Sequence, residues 1–273
     1  MPWRLECRRG LSAISVLISI KKTRVVEPEY DLLMNSTKTR SKVLCIVPAH
    51  NEEKSIGSLL GEISACGYDF IVVNDASVDN TAGIVKSLGG KLLSLPVNLG
   101  IGGAVQTGFL YALRNGYDYV VQLDGDGQHN PTLIGDILAP LQNNEADCVI
   151  GSRYLPAMPD IMYKTPFTRR VGMYFSTYIL QLATGITIHD TTSGFRGLNR
   201  RAFSYFAYEY PVDHPEAEAL LLLHREGFRI CEVPTRMRQR VAGKSLFTLT
   251  KGLMYPFRVI IGFCGILLRR KSR

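Results

Sequence analysis

From Lys42 onward the chain alternates short, almost continuous apolar runs with longer stretches of helical periodicity. Val43-Leu44-Cys45-Ile46-Val47 predicts a buried strand stopped by Pro48, and Phe70-Ile71-Val72-Val73 predicts a second. Lys91 to Leu95 predicts a short third strand, Tyr119 to Leu123 a fourth and Cys148 to Ile150 a fifth. Between them Glu52 to Ser64, Thr81 to Leu88, Gly102 to Asn115 and Thr132 to Gln142 read as helices. Strands that are apolar throughout and alternate with helices fit a parallel sheet covered on both faces, since neither face of such a strand meets water. The expected fold class is α/β, a Rossmann-like, mostly parallel sheet with helices on both faces.

Ligands on such sheets bind beyond the carboxyl ends of the strands. The polar clusters fall there: Pro48-Ala49-His50-Asn51-Glu52-Glu53 after the first strand, Asn74-Asp75-Ala76-Ser77-Val78-Asp79 after the second, and Asp124-Gly125-Asp126 after a later one. Helix capping by Asp79, Asn51 or Ser55 accounts for one cluster by itself. Three clusters on one edge can meet the base, ribose and diphosphate of a nucleotide. On an extended backbone Asp124 and Asp126 project to the same side, and two such carboxylates call for a divalent cation between them unless they merely close a polar turn. The loop Asn98-Leu99-Gly100-Ile101-Gly102-Gly103 runs into a helix N-terminus, which favours an anion. It follows the third strand rather than the first and lacks a matching acidic residue, which argues against a nicotinamide site.

The two ends differ from this middle. Residues 1–41 form a basic leader, read as partly disordered, with one apolar run, Leu11 to Ile20, about half the ~20 residues a membrane span needs. Met34 is an alternative start. Residues 248–273 hold an apolar run from Leu253 to Leu268, interrupted by Pro256 and Arg258 and closed by Arg269-Arg270-Lys271-Ser272-Arg273. That pattern predicts an interfacial anchor on a membrane surface, or a docking helix for a small membrane protein partner, against the simpler alternative of a helix packed on its own domain. The net charge of +8 over 273 residues suits a membrane surface, a phosphorylated substrate or nucleic acid. No basic and aromatic residues interleave in a nucleic-acid motif, so no nucleic-acid partner is expected. Six scattered cysteines without paired spacing predict a reducing compartment and no zinc site.

Pro48-Ala49-His50-Asn51-Glu52-Glu53, the run from Val73 to Thr81, the run from Leu123 to Pro131 and Gly151-Ser152-Arg153-Tyr154 resemble the successive motifs of family 2 glycosyltransferases. Thr192-Ser193-Gly194-Phe195-Arg196, Glu218, Glu232-Val233-Pro234 and Gly243-Lys244-Ser245 continue the match over residues 42–247. Within the family the chain is most similar to the dolichyl-phosphate mannosyltransferase and polyprenyl-phosphate sugar synthase branch. The resemblance implies a GT-A domain over residues 42–247 that takes a nucleotide-sugar donor, UDP- or GDP-linked, and a polyprenyl phosphate acceptor. Pro48, Ala49, Asn51, Glu53, Asp75 and Asp79 would then line the nucleotide. Asp124 and Asp126 would hold Mg2+ or Mn2+ and the diphosphate, with Gln128 beside them, and Arg153 would face the acceptor phosphate. Arg169 or Arg170 matches a second phosphate-binding arginine, although Met173 and Tyr174 stand where the family often has serine.

Arg240 and Lys244, in the stretch from Arg236 to Ser245, are expected to close over the diphosphate. A lipid phosphate is already mostly anionic at neutral pH and needs little help from a base. A hydroxyl acceptor needs one, for which Glu218, Glu216 and Asp190 are candidates. No Gln-x-x-Arg-Trp motif of the processive synthases is present, so a single transfer is expected. Direct attack at the anomeric carbon would invert its configuration, and the reaction is expected at the cytoplasmic face of a membrane. A glycosyltransferase of cell-envelope glycans with a hydroxyl acceptor, or a non-catalytic nucleotide-sugar-binding subunit, is the alternative.

Overall fold

The computed structural model describes residues 41–155, 167–211, 216–238 and 249–268. Seven strands form one sheet: β1 Val43–Ala49, β2 Asp69–Asn74, β3 Leu92–Ser94, β4 Tyr119–Gln122, β5 Cys148–Ser152, β6 Arg196–Asn199 and β7 Ile230–Pro234. Their order is β3-β2-β1-β4-β6-β5-β7. Only β6 runs against its neighbours; β1 lies parallel to β2 and β4, β2 to β3, and β5 to β7. The helices are α1 Ile56–Ala65, α2 Thr81–Ser87, α3 Gly100–Arg114, α4 Ile134–Gln142, α5 Phe167–Thr184, α6 Arg200–Glu209, α7 Ala217–Arg225 and α8 Leu249–Leu268.

Alternate strand residues feed two cores, as the period of two requires. Leu44, Ile46, Ile71 and Val120 pack with α3, α6 and α7, and Phe263 of α8 joins them. Cys45, Val47, Val72 and Val121 pack with α1, α2 and α4 on the other face. Both faces are therefore dry, which is why these strands read as unbroken apolar runs.

Most elements begin or end within a few residues of the sequence reading, the first helix starting at Ile56 rather than Glu52, and two of the shifts bear on the site. Strand β1 continues through Pro48 to Ala49. Pro48 falls where an amide would face β4, whose register with β1 ends at the Ile46–Gln122 pair, so the missing donor costs no ladder bond. Its carbonyl still accepts from the Gly125 amide at 3.2 Å, while Ala49 accepts from the Asp75 amide on the β2 side at 2.9 Å. Strand β4 stops at Gln122, short of the aspartates, and the chain then turns through Gly125 and Asp126. Side-chain alternation along a strand therefore does not set the aim of Asp124 and Asp126. The turn does.

In the last helix, Val259 and Phe263 are buried and Ile261 and Leu268 are exposed. Among the described residues no helix is long and apolar enough to cross a membrane. The leader, Arg240, Lys244 and the basic tail lie outside the described residues, as do the side chains of Arg169 and Arg170.

Candidate active site

The chain ends of β1, β2 and β4 bring the predicted nucleotide residues to one edge. After β1, Asn51 adopts φ 58°, a left-handed conformation that asparagine tolerates better than most residues. Its amide donates to Ser77 Oγ at 3.0 Å, and its Oδ1 accepts from the Val78 amide at 2.8 Å. Glu53 and Asp79 are tied reciprocally: the Glu53 amide donates to Asp79 Oδ2 at 3.1 Å, and Glu53 Oε2 accepts from the Asn80 amide at 3.1 Å. Thr81 adds its amide and hydroxyl to Asp79 Oδ1, at 3.0 and 2.5 Å. Partial burial pushes the Asp79 carboxyl up, but the Thr81 hydroxyl and amide and the Glu53 amide outweigh it and hold the group below its ordinary range. Capping and site building are thus one network, in which Asp79 leads into α2 while joining the β1 and β2 loops.

Asp75 is buried, and its Oδ1 accepts from the Leu99 amide at 2.7 Å. The Gly100 amide goes to Asn98 Oδ1 at 3.0 Å. The glycine loop before α3 thus spends these two amides on the protein itself. His50 Nδ1 lies 2.6 Å from the Asp75 carbonyl and 3.2 Å from Asn98 Nδ2, and its Nε2 lies 3.1 Å from Asn51 Nδ2, so the ring links the loops after β1, β2 and β3.

Beyond β4, the Asp124 carboxylate is partly open to solvent, at 36%. A Cβ at Gly194 would lie 2.6 Å from its Oδ2, so only glycine leaves room for it. The Asp124 amide donates to His129 Nδ1 at 3.0 Å, and His129, stacked on Phe195 at 5.2 Å, is buried behind it. Asp126 is 4% exposed, and its Oδ1 accepts from the Gln128 amide at 3.0 Å. Ser55 Oγ donates to the Gly125 carbonyl at 2.8 Å, fastening the turn to the start of α1. The donors this turn offers are hard oxygens. Among the described residues no three acidic, histidine or cysteine side chains form a metal-binding group. The partly open Asp124 carboxylate and the buried Asp126 carboxylate two residues on are of the kind that fits a small divalent cation taking its other ligands from phosphate oxygens and water.

Arg153, directly after β5, is buried against Asp190 of the loop before β6. Its Nε and Nη2 reach the two carboxylate oxygens at 2.7 Å each, and Nη2 also reaches Thr192 Oγ1 at 2.7 Å. Asp190, weighed above as a base, is the partner of a buried, bidentate ion pair. Glu232 of β7 holds that loop from behind by accepting the amides of His189 and Asp190 at 2.8 and 2.9 Å. Buried Arg196 caps the carbonyls of Ser193, Thr191 and Glu216 at 2.8, 2.9 and 2.9 Å, which joins the same loop to the start of α7. Glu218 in the first turn of α7 lies against Gly262 of α8, where any side chain would collide with its carboxylate. The sequence reading brought together the β1, β2 and β4 residues. It missed Gly194, the His129 and Phe195 backing and the Asp190 fork, of which only His129, Phe195 and Gly194 were visible as parts of motifs.

Among α/β folds, a sheet with one reversed strand inside it and paired aspartates just past the central β4 is the build of a GT-A glycosyltransferase. The sequence model of glycosyl transferase family 2 matches residues 44–206, and the chain belongs to that family. The chain is 31% identical over 214 residues to a UDP-N-acetylglucosamine–dolichyl-phosphate N-acetylglucosaminyltransferase of Methanococcus voltae, covering 71% of this chain and 84% of that one. It is 30% identical over 214 residues to an undecaprenyl-phosphate mannosyltransferase of Micrococcus luteus, covering 75% and 86%. A solved structure of glucosyl-3-phosphoglycerate synthase from Mycobacterium tuberculosis, holding Mn2+, UDP and phosphoglyceric acid, superposes with a TM-score of 0.66 at 18% identity, over 97% of this chain and 86% of that one. At that identity the likeness speaks for the fold.

Proposed function

We propose that the chain transfers a single sugar from a UDP- or GDP-sugar to a polyprenyl phosphate with inversion at the anomeric carbon. The observation that carries the reading is the convergence of the Asn51, Asp75 and Asp79 loops with the Asp124 and Asp126 turn on one sheet edge, in a chain similar to enzymes named for polyprenyl-phosphate acceptors. The β1 and β2 loops bind the nucleoside. Asp124 and Asp126 would hold Mg2+ or Mn2+, which when bound would offset negative charge on the departing diphosphate. An acceptor phosphate oxygen forms the new bond to the anomeric carbon as the bond to the nucleoside diphosphate breaks.

That nucleophile is already an anion and needs no base. A hydroxyl acceptor would need one. Of the three carboxylates weighed as a base, Asp190 is committed to Arg153 and Glu218 faces α8, which leaves Glu216 at the start of α7 as the one candidate for a hydroxyl acceptor and favours the phosphate acceptor. Arg153, aimed by Asp190, meets the acceptor phosphate, and Arg240 and Lys244 meet the donor diphosphate. The reaction is assigned to the cytoplasmic face of a membrane, with the exposed side of α8 on the lipid surface or on a small membrane protein.

The acceptor class is tested by offering purified protein a panel of labelled UDP- and GDP-sugars with polyprenyl phosphate, the corresponding polyprenol, or soluble oligosaccharides. Label is expected in polyprenyl phosphate alone. Label in oligosaccharide would favour the hydroxyl-acceptor enzyme, and donor binding without any product would favour a non-catalytic subunit.

A further inference from the structure

The turn carrying Asp126 contains Gly125 and Gly127, and Gly127 sits at φ 72°. Two glycines give a backbone more freedom than a compact cation site tolerates, so such a turn must be pinned from outside. Its inner side is pinned by buried groups, Ser55 on the Gly125 carbonyl and His129 on the Asp124 amide. Its outer side is held by one exposed residue from far along the chain. The Arg238 amide donates to the Gln128 carbonyl at 2.9 Å, and Gln128 Nε2 lies 3.4 Å from the Arg238 carbonyl. The Arg238 side chain then spans two further elements. Nη1 reaches Glu62 Oε1 and Oε2 of α1 at 2.9 and 2.7 Å, and Nη2 reaches Asn130 Oδ1 at 2.9 Å. Asn130 Oδ1 also accepts from the Thr132 amide at 3.2 Å, so the clasp ends at the turn leading into α4.

We infer that Arg238, clasped to Glu62 and Asn130, is a positioning residue that holds the Gln128 side of the Asp-x-Asp turn and thereby sets the aim of the Asp126 carboxylate. The inference rests on the reading of that turn as a divalent-cation site. The link is short: Arg238 fixes Gln128, and the Gln128 amide fixes Asp126 Oδ1 at 3.0 Å. Stability is a poor explanation for the clasp. Arg238 and Glu62 are 44% and 35% exposed, and pairs that open to water contribute little to folding. Geometry is a better one, since the planar guanidinium can bridge two acceptors where an ammonium offers a single point charge.

The test uses the full chain and Mn2+ as probe, with UDP and separately GDP present. Free Mn2+ is followed by electron paramagnetic resonance, and hydrogen exchange is read at the amides of residues 125–130. Arg238→Met is expected to weaken Mn2+ binding roughly tenfold, as loss of an outer-shell partner commonly does. It should also speed exchange at the Gln128 amide while leaving the thermal midpoint nearly unchanged. Arg238→Lys keeps the charge without the fork and is expected to follow Arg238→Met. Unchanged Mn2+ binding in Arg238→Met, with or without faster exchange, would overturn the role, as would a wild-type-like Arg238→Lys. A wild-type protein that takes up no Mn2+ would overturn the cation reading itself and this role with it.

Discussion

Asp124 keeps its partly open position because Gly194 has no side chain. A methyl group there would sit 2.6 Å from Oδ2 and must push the carboxylate aside. Gly194→Ala is therefore expected to lower sugar transfer by roughly 100-fold, the scale of an ångström-sized misplacement at a reacting centre. Its thermal unfolding should stay close to wild type, because the carboxylate can yield into solvent. An unaltered transfer rate in this variant would mean that Asp124 is not where the chemistry needs it. At this scale the sequence was partly legible. Asp124, Asp126, Asn51 and Asp79 stand out because polar residues directly after apolar strands have no packing role to explain them. The Arg153 fork on Asp190 and the Arg238 clasp on Glu62 were not legible, since the partners are 37 and 176 positions apart and no local pattern joins them.

The elements of the first half were legible because β1, β2 and β4 are buried on both faces. The second half was not. Strand β6, Arg-Gly-Leu-Asn, carries a buried arginine and a glycine instead of an apolar run, and β7 is only half-buried along its length. Their placement depends on polar anchors at the far end of the sheet. Asp147, just before β5, accepts from the Asn199 side chain at 2.8 Å, the Arg229 amide at 2.8 Å and Arg201 Nη2 at 3.2 Å. Burial alone would raise its carboxyl. The Arg229 amide, the Asn199 side chain and the Arg229 and Arg201 guanidinium groups outweigh burial and hold it below the ordinary 3.8. A carboxyl lower in the folded than in the unfolded chain stabilises the fold above the unfolded value, and that contribution is lost as pH falls through the folded one. Asp147→Asn is expected to cost about 1–3 kcal/mol at pH 7, the scale for losing hydrogen bonds to a charged group. The gap from wild type should close as pH is lowered below about 4. Urea unfolding between pH 7 and pH 2 reads both, and a gap that persists at the acid end would contradict the assignment.

For the whole molecule, one face of α8 is spent on the core through Val259 and Phe263 while Ile261 and Leu268 stand 71% and 85% exposed. Read as an interfacial anchor, that outer face predicts binding to vesicles of phosphatidylglycerol and phosphatidylcholine, strengthened by the basic residues that follow it. Ile261→Lys and Leu268→Lys each remove roughly 1.5–3 kcal/mol of apolar burial in the bilayer, a loss of about tenfold or more in partitioning. Co-sedimentation checks this, and binding by both variants as tight as that of the wild type would contradict the anchor. The thermal midpoint should not move, because neither side chain supports the fold.

The most direct test of the central claim combines donor, acceptor and site in one reaction. Wild-type protein and Asp124→Asn are incubated with labelled nucleotide-sugars, polyprenyl phosphate and Mn2+ or Mg2+, and organic-extractable label is counted before and after chelation of the metal. The account predicts label in the lipid from a single donor, abolished by chelation and by Asp124→Asn. Equal lipid label in wild type and Asp124→Asn, or none in wild type with any donor, would contradict it.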